Sequence, residues 1–574
     1  MLLSVLLESL FVAVSFSLNV HDRSGATFGC RKIPGDEGWP SIEEWQTLNA
    51  SVSGRLMKTT PAGHVCHDPT YDAAACEALN QTWIYPWGHF DDPSGFMAAY
   101  QQNASCNPFT PQSSPCLQGN YVDYAIEVHN ATDVIAGMKF AQANNIRLVI
   151  KNTGHDYLGK STGKGALSLW MHNLKVIEAV NYTSSSYTGP AFKMGAGVQA
   201  FEAYTAAHMA GLTVLGGQCI TVGVVGGYTQ GGGHSLLSGK HGMGADQALE
   251  WEVVTTDGKI VTASPTENTD LYWALSGGGG GTYGVVLSLI SRAHPDSIIG
   301  GLTFAFSSPS GNVDDDALWN AVSFFHRNAL PGILDAGAHI QWAVAGPVFF
   351  IGETTIPGAT EDDMRSVMMP FTDYLTGQGI AYQLNVTSYP NFYEHANHYI
   401  GPFPYGTFYS AQLQGGAMIS RETAISNATS LELIKRLRHI STTTNFTVIS
   451  YGFDGSVKDP STPSNAVHSG WRDLLSYFVI SQQWNYNVPF AVMDEQERQL
   501  TEDIMPPLQE LASGAYMNEA DFRNPKWKEE FYGSNWERLS GLKKKWDPEG
   551  LLYATTAVGS EEWIQDKAGR LCRA

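Results

Sequence analysis

Three glycine-rich loops constrain the fold of this chain more than any other feature. They occupy residues 154–165, 216–233 and 277–284, and each follows a run that is typical of a helix or a strand. Glycine lets a backbone approach a ligand closely and direct its N–H groups at it. Several such loops together make an anion-binding surface suited to a pyrophosphate. Tight turns alone would explain one such loop, but three favour a bound cofactor.

The loops match neither of two common nucleotide-binding motifs. The sequence has no GxxxxGK[ST], so a P-loop is excluded. Gly223-Val224-Val225-Gly226-Gly227 lacks the strand–turn–helix frame and the later acidic residue of a dinucleotide-binding fingerprint. The sequence also has no GxSxG nucleophile elbow and no His, Cys and Asp cluster with metal-ligand spacing, so we expect no metal.

The pattern around the loops predicts an α+β unit over residues 119–298. Strand-like runs such as IRLVI and ALSLWM accompany the helix ATDVIAGMKFAQANN, for which Thr132 is the predicted cap. The helix VQAFEAYTAAHMA ends at Gly211. ALEWEVVTTDGKIVTAS predicts a hairpin that turns at Asp257-Gly258.

The 574 residues are too many for one simple core, so a second unit is expected. Residues 299–504 mix strand-like runs with longer helices, which predicts an antiparallel sheet covered by helices. Residues 505–574 are rich in Lys and aromatic residues and are predicted to return to the first unit. Residues 18–118 are rich in Pro, Gly, Trp and Cys and are predicted to be irregular and held by disulfides.

Several features predict secretion. The opening MLLSVLLESLFVAVSFS is typical of a signal peptide over residues 1–17, and a buried N-terminal helix is the alternative. The net charge of -21 disfavours nucleic acid and anionic membranes as partners. We find no other membrane segment and expect a monomer. Eight N-x-[ST] sequons are candidate glycan sites: Asn49, Asn80, Asn103, Asn130, Asn181, Asn385, Asn427 and Asn445.

The cysteine count singles out one thiol. In an oxidising compartment seven cysteines leave one over, and Cys219 alone lies deep in a glycine-rich stretch. Cys66 with Cys76 and Cys106 with Cys116 would close short loops, and Cys30 would then pair with Cys572. Six cysteines allow fifteen pairings, so the connectivity stays open at this point.

His155 and Cys219 are the two candidate nucleophiles of the glycine-rich loops. Imidazole and thiolate can both attack an activated flavin carbon. Each alone has an ordinary interpretation, as a hydrogen-bonding loop histidine or a buried structural cysteine. Taken together, at matching places in two glycine-rich loops, they favour attachment of a cofactor.

A set of motifs in fixed order resembles the berberine bridge enzyme-like family of the vanillyl alcohol oxidase/p-cresol methylhydroxylase superfamily. NTGHDYLG, from Asn152 to Gly159, resembles its GGHSYEG-type loop, and GQCITVGVVGG, from Gly217 to Gly227, resembles GxCxxVGxxG. LYWALSGGGG is similar to DLxWALRGGGG, YMNEAD is similar to YxNxxD, and NWERL and KKWDP follow in the family's order. The N-terminal CRKIPGDEGWPS and the closing GRLC are most similar to secreted fungal members.

The resemblance implies a PCMH-type FAD-binding domain of two subdomains joined to a substrate domain. It implies FAD held by two bonds, from His155 to the 8α-methyl and from Cys219 to C6 of the ring, with a raised redox potential. The other residues that it places on the cofactor are Lys151, Asn152, Thr153, Gly154, Gly159, Gly217, Thr221, Val222, Gly223, Gly226, Gly227, Gly233, Gly284, Val285 and Asn518.

The implied reaction is two-electron oxidation of an alcohol, a sugar or a phenolic or other secondary metabolite, with O2 reduced to H2O2. Val222 stands three residues after the cysteine, where the family's oxidases carry Val and its dehydrogenases a larger residue. Tyr157, Tyr516 and Asn518 are the predicted catalytic residues. A dehydrogenase with another acceptor, or a flavin-retaining binding protein without turnover, are the alternatives.

One departure from the family concerns the catalytic base. Plant alkaloid-oxidising members carry a glutamate on a strand before a Trp, and LLSYFVISQQW is the nearest match. No Asp or Glu occurs between Asp473 and Asp494, and the equivalent site is apolar around Val479. A tyrosine base is therefore predicted. A structural role is predicted for His64, His234 and His241. Two interpretations stay open for Ser481 and Gln483: binding of polar substrate groups, or simple alternation along a strand.

Overall fold

The computed structural model describes residues 29–103, 105–409, 411–566 and 568–574. The predicted signal peptide, residues 1–17, lies outside the described residues. Within them, a first part mixes helices with two small sheets and a second part is built on one large antiparallel sheet. The predicted α+β class is therefore confirmed. None of the helices in these ranges is both long and apolar enough to cross a membrane.

The described N-terminal stretch, up to residue 123, contains few helices and strands. They are α1 (Ile42–Ser51), β1 (Leu56–Lys58), α2 (Ala73–Thr82) and α3 (Ala99–Gln102). Ser41 and Glu44 form a reciprocal capping box that satisfies N–H groups left free by the first turn of α1. Trp45 and Leu48 of this helix are buried in the core beneath the first sheet.

Three disulfides hold this stretch and join the ends of the described chain. Cys66–Cys76 and Cys106–Cys116 close local loops, and Cys30–Cys572 spans a sequence separation of 542. Cys219 is the free cysteine of the described ranges. All three suggested pairings and the odd thiol are thus confirmed.

The first sheet carries the loop that contains His155. Its order is β1-β2-β4-β3, with the three later strands parallel, and its elements are β2 (Tyr124–Glu127), α4 (Ala131–Asn144), β3 (Arg147–Lys151) and β4 (Ala166–Trp170). Asn130, rather than the predicted Thr132, caps α4. Its Oδ1 accepts hydrogen bonds from the backbone N–H groups of Thr132 and Asp133. The correction has a simple cause, since the capping residue must be extended and Thr132 already lies inside the helix.

The second sheet is antiparallel, in the order β5-β6-β10-β8-β9, and a pair of short strands lies beside it. Its strands are β5 (Ile177–Thr183), β6 (Thr188–Gly195), β7 (Leu212–Thr213), β8 (Ala248–Val254), β9 (Ile260–Ala263), β10 (Val285–Arg292) and β11 (His294–Pro295). The helices are α5 (Ala200–Met209), α6 (Ser238–His241) and α7 (Thr269–Leu275). The β8–β9 hairpin turns at Gly258, whose φ of +82° favours glycine. The second glycine-rich loop follows β7, and the third joins α7 to β10.

The third sheet has seven antiparallel strands in the order β15-β12-β14-β13-β17-β18-β16. The strands are β12 (Ile299–Ser307), β13 (His339–Ala345), β14 (Val348–Pro357), β15 (Tyr382–Tyr389), β16 (Gln412–Ser420), β17 (Thr447–Phe453) and β18 (Leu474–Gln483). The accompanying helices are α8 (Asp316–Phe324), α9 (Leu330–Asp335), α10 (Glu361–Gly377), α11 (Phe392–Tyr399), α12 (Arg421–Ile425) and α13 (Asn427–Thr443).

The two faces of this sheet have different roles because side chains alternate along a strand. Trp342 and Phe478 point into the apolar core shared with helices such as α8, α10 and α13. Their alternating neighbours Gln341 and Val479 line a cavity on the other face. This face of the sheet thus forms one wall of the cavity.

The last segment returns to the glycine-rich loops. Its elements are α14 (Phe490–Gln499), α15 (Met505–Gln509), α16 (Trp527–Tyr532), α17 (Trp536–Trp546), β19 (Trp563–Gln565) and β20 (Leu571–Arg573). The buried ammonium of Lys543 on α17 donates to the carbonyl of Thr282, 2.9 Å away in the third loop, and pairs with Asp547 at 2.6 Å. This contact ties the end of the chain to the third loop.

Candidate active site

A cavity of about 530 Å³ lies where the three glycine-rich loops face the large sheet. This volume is within the usual range for small-molecule sites. Gly154, Gly217 and Gly280 represent the three loops in its wall, and Gln412 and Tyr451 represent the sheet. The loops that were expected to hold a cofactor therefore converge on one space.

Most of the predicted site residues line this cavity. They are Asn152, Thr153, Gly154, His155, Tyr157, Gly217, Cys219, Val222, Gly223, Gly226, Gly227, Tyr516 and Asn518. Six others lie off its surface, namely Lys151, Gly159, Thr221, Gly233, Gly284 and Val285. The ammonium of Lys151 instead donates to the carbonyl of Asp92 at 2.7 Å, and burial lowers its pKa to about 7.

His155 and Cys219 meet at one point of the wall. The Nε2 atom of His155 lies 3.2 Å from the Sγ of Cys219 and 2.8 Å from the Oγ1 of Thr221. Desolvation lowers the pKa of His155 to about 3, so its imidazole is neutral and nucleophilic at neutral pH. Desolvation also raises the pKa of the Cys219 thiol to about 12. Thr221 lies off the cavity surface, but its hydroxyl contacts both candidate nucleophiles.

The glycines form a cradle with an unsatisfied polar atom in it. A Cβ on Gly227 would meet no protein atom within 4 Å, so it would project into the cavity. A Cβ on Gly223 would lie 2.2 Å from the Nδ2 of Asn152, so only glycine lets that side chain lie so close. The buried Oδ1 of Asn152 has no hydrogen-bond partner among the described residues. Open backbone and a free acceptor suit a polar ligand with its own donors.

Three further predicted residues lie side by side. The Nδ2 of Asn518 donates to the carbonyl of Gly227 at 2.8 Å and to the phenol oxygen of Tyr516 at 2.9 Å. Tyr516 is 3% exposed. Burial raises the pKa of Tyr516, and desolvation raises that of Tyr157 well above its ordinary value. Both phenols are therefore neutral at physiological pH and act as hydrogen-bonding groups.

Two family models match segments of the chain that contribute to this cavity. A model described as an FAD binding domain matches residues 122–264, which contain His155 and Cys219. A model described as berberine and berberine like matches residues 515–559, which contain Tyr516 and Asn518. The two matches cover both sides of the contact between Asn518 and Gly227.

Relatives match over nearly the whole chain. The "VAO-type flavoprotein oxidase VAO615" of Thermothelomyces thermophilus is 44% identical over 555 residues, which cover 95% of each chain. The "FAD-linked oxidoreductase patO" of Aspergillus clavatus is 44% identical over 95% of this chain and 96% of its own.

This chain belongs to the berberine bridge enzyme-like family.

A solved structure agrees with this assignment. The crystal structure of the VAO-type flavoprotein MtVAO615 from Myceliophthora thermophila C1 superposes with a TM-score of 0.91 at 43% identity. The match covers 95% of this chain and all of that one. The PCMH-type fold is thus confirmed, and this berberine bridge enzyme-like protein is an FAD-linked oxidoreductase that acts on a small molecule.

The residues present fit FAD. The family's two attachment points, the 8α-methyl and C6, belong to the same ring of the isoalloxazine, and the two candidate nucleophiles are 3.2 Å apart. The open face of Gly227 and the free Oδ1 of Asn152 offer room and an acceptor beside them. His155 and Cys219 would hold the ring, and the glycine-rich loops would hold the rest of the cofactor.

Several residues of this berberine bridge enzyme-like site were not predicted from the sequence. Glu519 follows Asn518 directly in the recognised YMNEAD motif, and His234 directly follows the second glycine-rich loop; both line the cavity. His234 had been taken as structural. Their positions beside recognised residues were the available signal.

Other missed residues come from strands of the large sheet or from the first loop. Glu353, Gln414 and Tyr451 carry no motif and reach the cavity only through strand alternation. Lys160 lines it from the first loop, and its ammonium donates to the carbonyl of Met517 at 2.9 Å. Desolvation lowers the pKa of Lys160 to about 8.

Proposed function

We propose that this protein is a secreted oxidase whose FAD is bonded to both His155 and Cys219. Its substrate class would be an alcohol, a sugar or a phenolic or other secondary metabolite, oxidised by two electrons with O2 reduced to H2O2. The observation that carries the proposal is the meeting of the two nucleophiles, 3.2 Å apart, at the wall of the glycine-lined cavity.

The protein's own groups would prepare both attachments. The low pKa of His155 keeps its imidazole neutral, so one ring nitrogen carries a lone pair for attack, and Nε2 lies 2.8 Å from the Oγ1 of Thr221. Cys219 reacts only as a thiolate, so its buried thiol, 3.2 Å from that nitrogen, would have to lose its proton before the bond to C6 forms. When bound, FAD supplies the two-electron acceptor and the route to O2.

The polar side of the cavity would bind and orient substrate. Tyr157 and Tyr516 remain neutral, so each donates a hydrogen bond to a substrate oxygen. Asn518 holds the phenol of Tyr516 through its amide at 2.9 Å. The oxidase assignment, rather than a dehydrogenase, is supported by Val222, which lines the cavity three residues after Cys219.

Secretion is supported by two observations. Three disulfides suit an oxidising compartment. Of the eight candidate glycan sites, seven asparagines are exposed. Asn49 is half-buried, and its Oδ1 accepts the N–H of Leu56 at 3.0 Å. Glycans at the exposed sites would therefore need no change in the fold, and Asn49 is the poorest acceptor.

The purified protein tests this function. Yellow colour that survives acid precipitation would support covalent FAD, and colour lost to the supernatant would contradict it. A panel of alcohols, oligosaccharides and phenolics is then followed by flavin bleaching and peroxide release. Bleaching with peroxide supports the oxidase. Bleaching without peroxide would identify a dehydrogenase, and no bleaching with any compound would identify a binding protein.

A further inference from the structure

Oxidation of a hydroxyl group needs a proton acceptor, for which the sequence suggested a glutamate before a Trp or a tyrosine. Val479, on the strand where alkaloid-oxidising members carry glutamate, lines the cavity but cannot take a proton. The phenols of Tyr157, Tyr451 and Tyr516 all have pKa values raised by desolvation, so they hold their protons too firmly. The carboxylates of the cavity are the anionic side chains that could accept this proton.

Three carboxylates line the cavity, and two of them are already engaged. Asp156 accepts the backbone N–H groups of Leu158 and Ser161 at 3.0 and 2.8 Å. Glu353 has a side chain only 2% exposed and accepts from the amide of Gln218 at 2.7 Å, with His339 3.3 Å away. Such partners fix a carboxylate in place and use its lone pairs.

Glu519 differs from both. Its side chain is 27% exposed, and within the described part of the chain its carboxylate has a single hydrogen-bond partner. That partner is the Nε2 of His234, 3.3 Å from Oε1 and 3.4 Å from Oε2. Its charge reaches Tyr157 and Cys219, because it contributes to raising the pKa of each. Glu519 is thus an accessible acceptor beside both the predicted substrate-binding phenol and the proposed tether.

We propose that Glu519 accepts the substrate proton and that His234 is the positioning residue that holds its carboxylate. The inference rests on the proposed oxidation and deepens it by naming the base. The hydroxyl proton would pass to Glu519, and bound FAD would supply the acceptor for the hydride that the adjacent C–H bond loses. The C–O bond becomes C=O. The proton and the hydride together supply the two hydrogen atoms of H2O2.

His234 is held in one orientation by its surroundings. Its side chain is 6% exposed. The ring lies 6.0 Å from that of Trp471 in a stacked arrangement, 5.2 Å from Tyr451, and 5.7 Å from Tyr516 edge-on. A ring so enclosed can aim one nitrogen at Glu519 with little loss of side-chain entropy.

The groups that face Glu519 from the neighbouring elements hold their protons through the physiological pH range. They are Tyr157 of the first loop, Cys219 and Tyr228 of the second loop, Tyr451 of β17, Tyr477 of β18 and Tyr516 of the return segment. His339 and Glu353 form a buried pair behind His234. A change in the pH–rate profile below neutral pH on replacing Glu519 would therefore not come from these neighbours.

The experiment compares the native holoenzyme with Glu519→Gln, Glu519→Asp and His234→Ala on 4-hydroxybenzyl alcohol, benzyl alcohol and cellobiose. We expect Glu519→Gln to slow flavin bleaching by about 10²- to 10⁴-fold and to lose the acid limb of the profile. Glu519→Asp should restore that limb at a lower rate. His234→Ala should lower kcat with little change in KM and alter the pH–rate profile, because the carboxylate is no longer held in one position.

A second readout does not depend on turnover. The absorbance of the bound flavin is titrated from about pH 3 to about pH 8. A spectral transition in the native protein that Glu519→Gln lacks would show that this carboxylate ionises beside the ring. Glu178→Gln, on an exposed face of β5, is the matched control and should leave the rate, the profile and the transition unchanged.

The outcomes separate the two proposals. If the native protein bleaches with none of the three compounds, the proposed function fails and the base assignment fails with it. If the native protein is active and Glu519→Gln keeps its rate, its acid limb and its spectral transition, only the base assignment is overturned. Equal changes in kcat and KM for His234→Ala, with an unmoved profile, would reduce that residue to a structural role.

Discussion

His155 and Cys219 reach the same point of the cavity from loops that are 64 residues apart. Each residue type was notable in the sequence because of its glycine-rich surroundings, and both positions could be predicted. Their separation, and the contact of each with Thr221, follow only from the way the two loops fold together. The distance turns two separate candidates into one proposed attachment site.

The two tethers predict a graded loss of cofactor. Single variants His155→Ala and Cys219→Ala should each keep flavin through acid precipitation, because one bond remains. The double variant should release it. Mass spectrometry of flavin-containing peptides gives the measurement, and complete loss of flavin from either single variant would contradict attachment at two points.

Val222 gives a second prediction for a single residue. The side chain of Val222 lies in the cavity wall and packs closely against Gly217, where an added Cβ would lie 3.4 Å from the Cβ of Val222. A larger side chain at position 222 would therefore extend into the cavity. Val222→Leu should slow reoxidation of the reduced flavin by O2 at least about tenfold, equivalent to about 1.4 kcal/mol in the barrier. Stopped-flow absorbance measures this rate.

Val222→Ala is the matched control for that experiment, since it only enlarges the space and should keep peroxide release. Equal reoxidation rates in Val222→Leu and the native protein would show that this residue has no part in oxygen access.

At the scale of elements, local pattern predicted most helices and strands, and the cavity wall shows where it failed. The strand-like runs of residues 299–504 predicted an antiparallel sheet, but nothing in them told which face would meet the cofactor. That choice came from the pairing of distant strands, which set Gln341 and Tyr451 against the glycine-rich loops. The cap of α4 was missed by two residues, because Asn130 and Thr132 are both good capping types.

The contact between α14 and the YMNEAD motif makes a prediction about pH. Glu497 on α14 is 1% exposed and hydrogen-bonded to Asp521, and burial raises the pKa of Glu497 well above its ordinary value. The pair therefore holds a proton in the folded state. Its contribution to stability is fully present below the ordinary glutamate pKa of about 4.3 and is lost as pH rises through the folded value.

We therefore expect Glu497→Gln, which cannot ionise, to show a flatter dependence of Tm on pH than the native protein. Thermal unfolding monitored from acidic to neutral pH measures it. Glu502→Gln, an exposed carboxylate in the next helical turn paired with Arg498, is the control and should follow the native curve. Parallel curves for Glu497→Gln and the native protein would show that the pair does not titrate on unfolding.

At the scale of the whole molecule, the ends of the described chain are closed together. The Cys30–Cys572 bond spans a separation of 542 residues, and Arg31 donates to the carbonyl of Gly550 beside it at 2.9 Å. Lys543 adds the buried contact with the third glycine-rich loop. The return segment is thereby fixed against the first unit, and it carries Tyr516, Asn518 and Glu519 into the cavity.

This closure predicts a large stabilisation. A disulfide restricts the unfolded chain more when it closes a longer loop, and removal of a native bond typically costs about 2–5 kcal/mol. Replacing Cys30 and Cys572 by Ser should therefore lower Tm more than replacing Cys66 and Cys76, whose separation is 10. Differential scanning calorimetry makes the comparison, and an equal or smaller effect at the long bond would contradict the argument.

The sequence by itself determined the parts of this protein that depend on short stretches of chain. The glycine-rich loops and the β8–β9 turn follow from neighbours a few residues apart, and family motifs marked His155 and Cys219. Tertiary structure alone decided which side chains share the cavity. Glu519 meets His234 across 285 residues, and Gln218 meets Glu353 across 135. Such pairs depend on how distant strands and loops are arranged in space. No local pattern records that arrangement, because each residue is ordinary in its own segment.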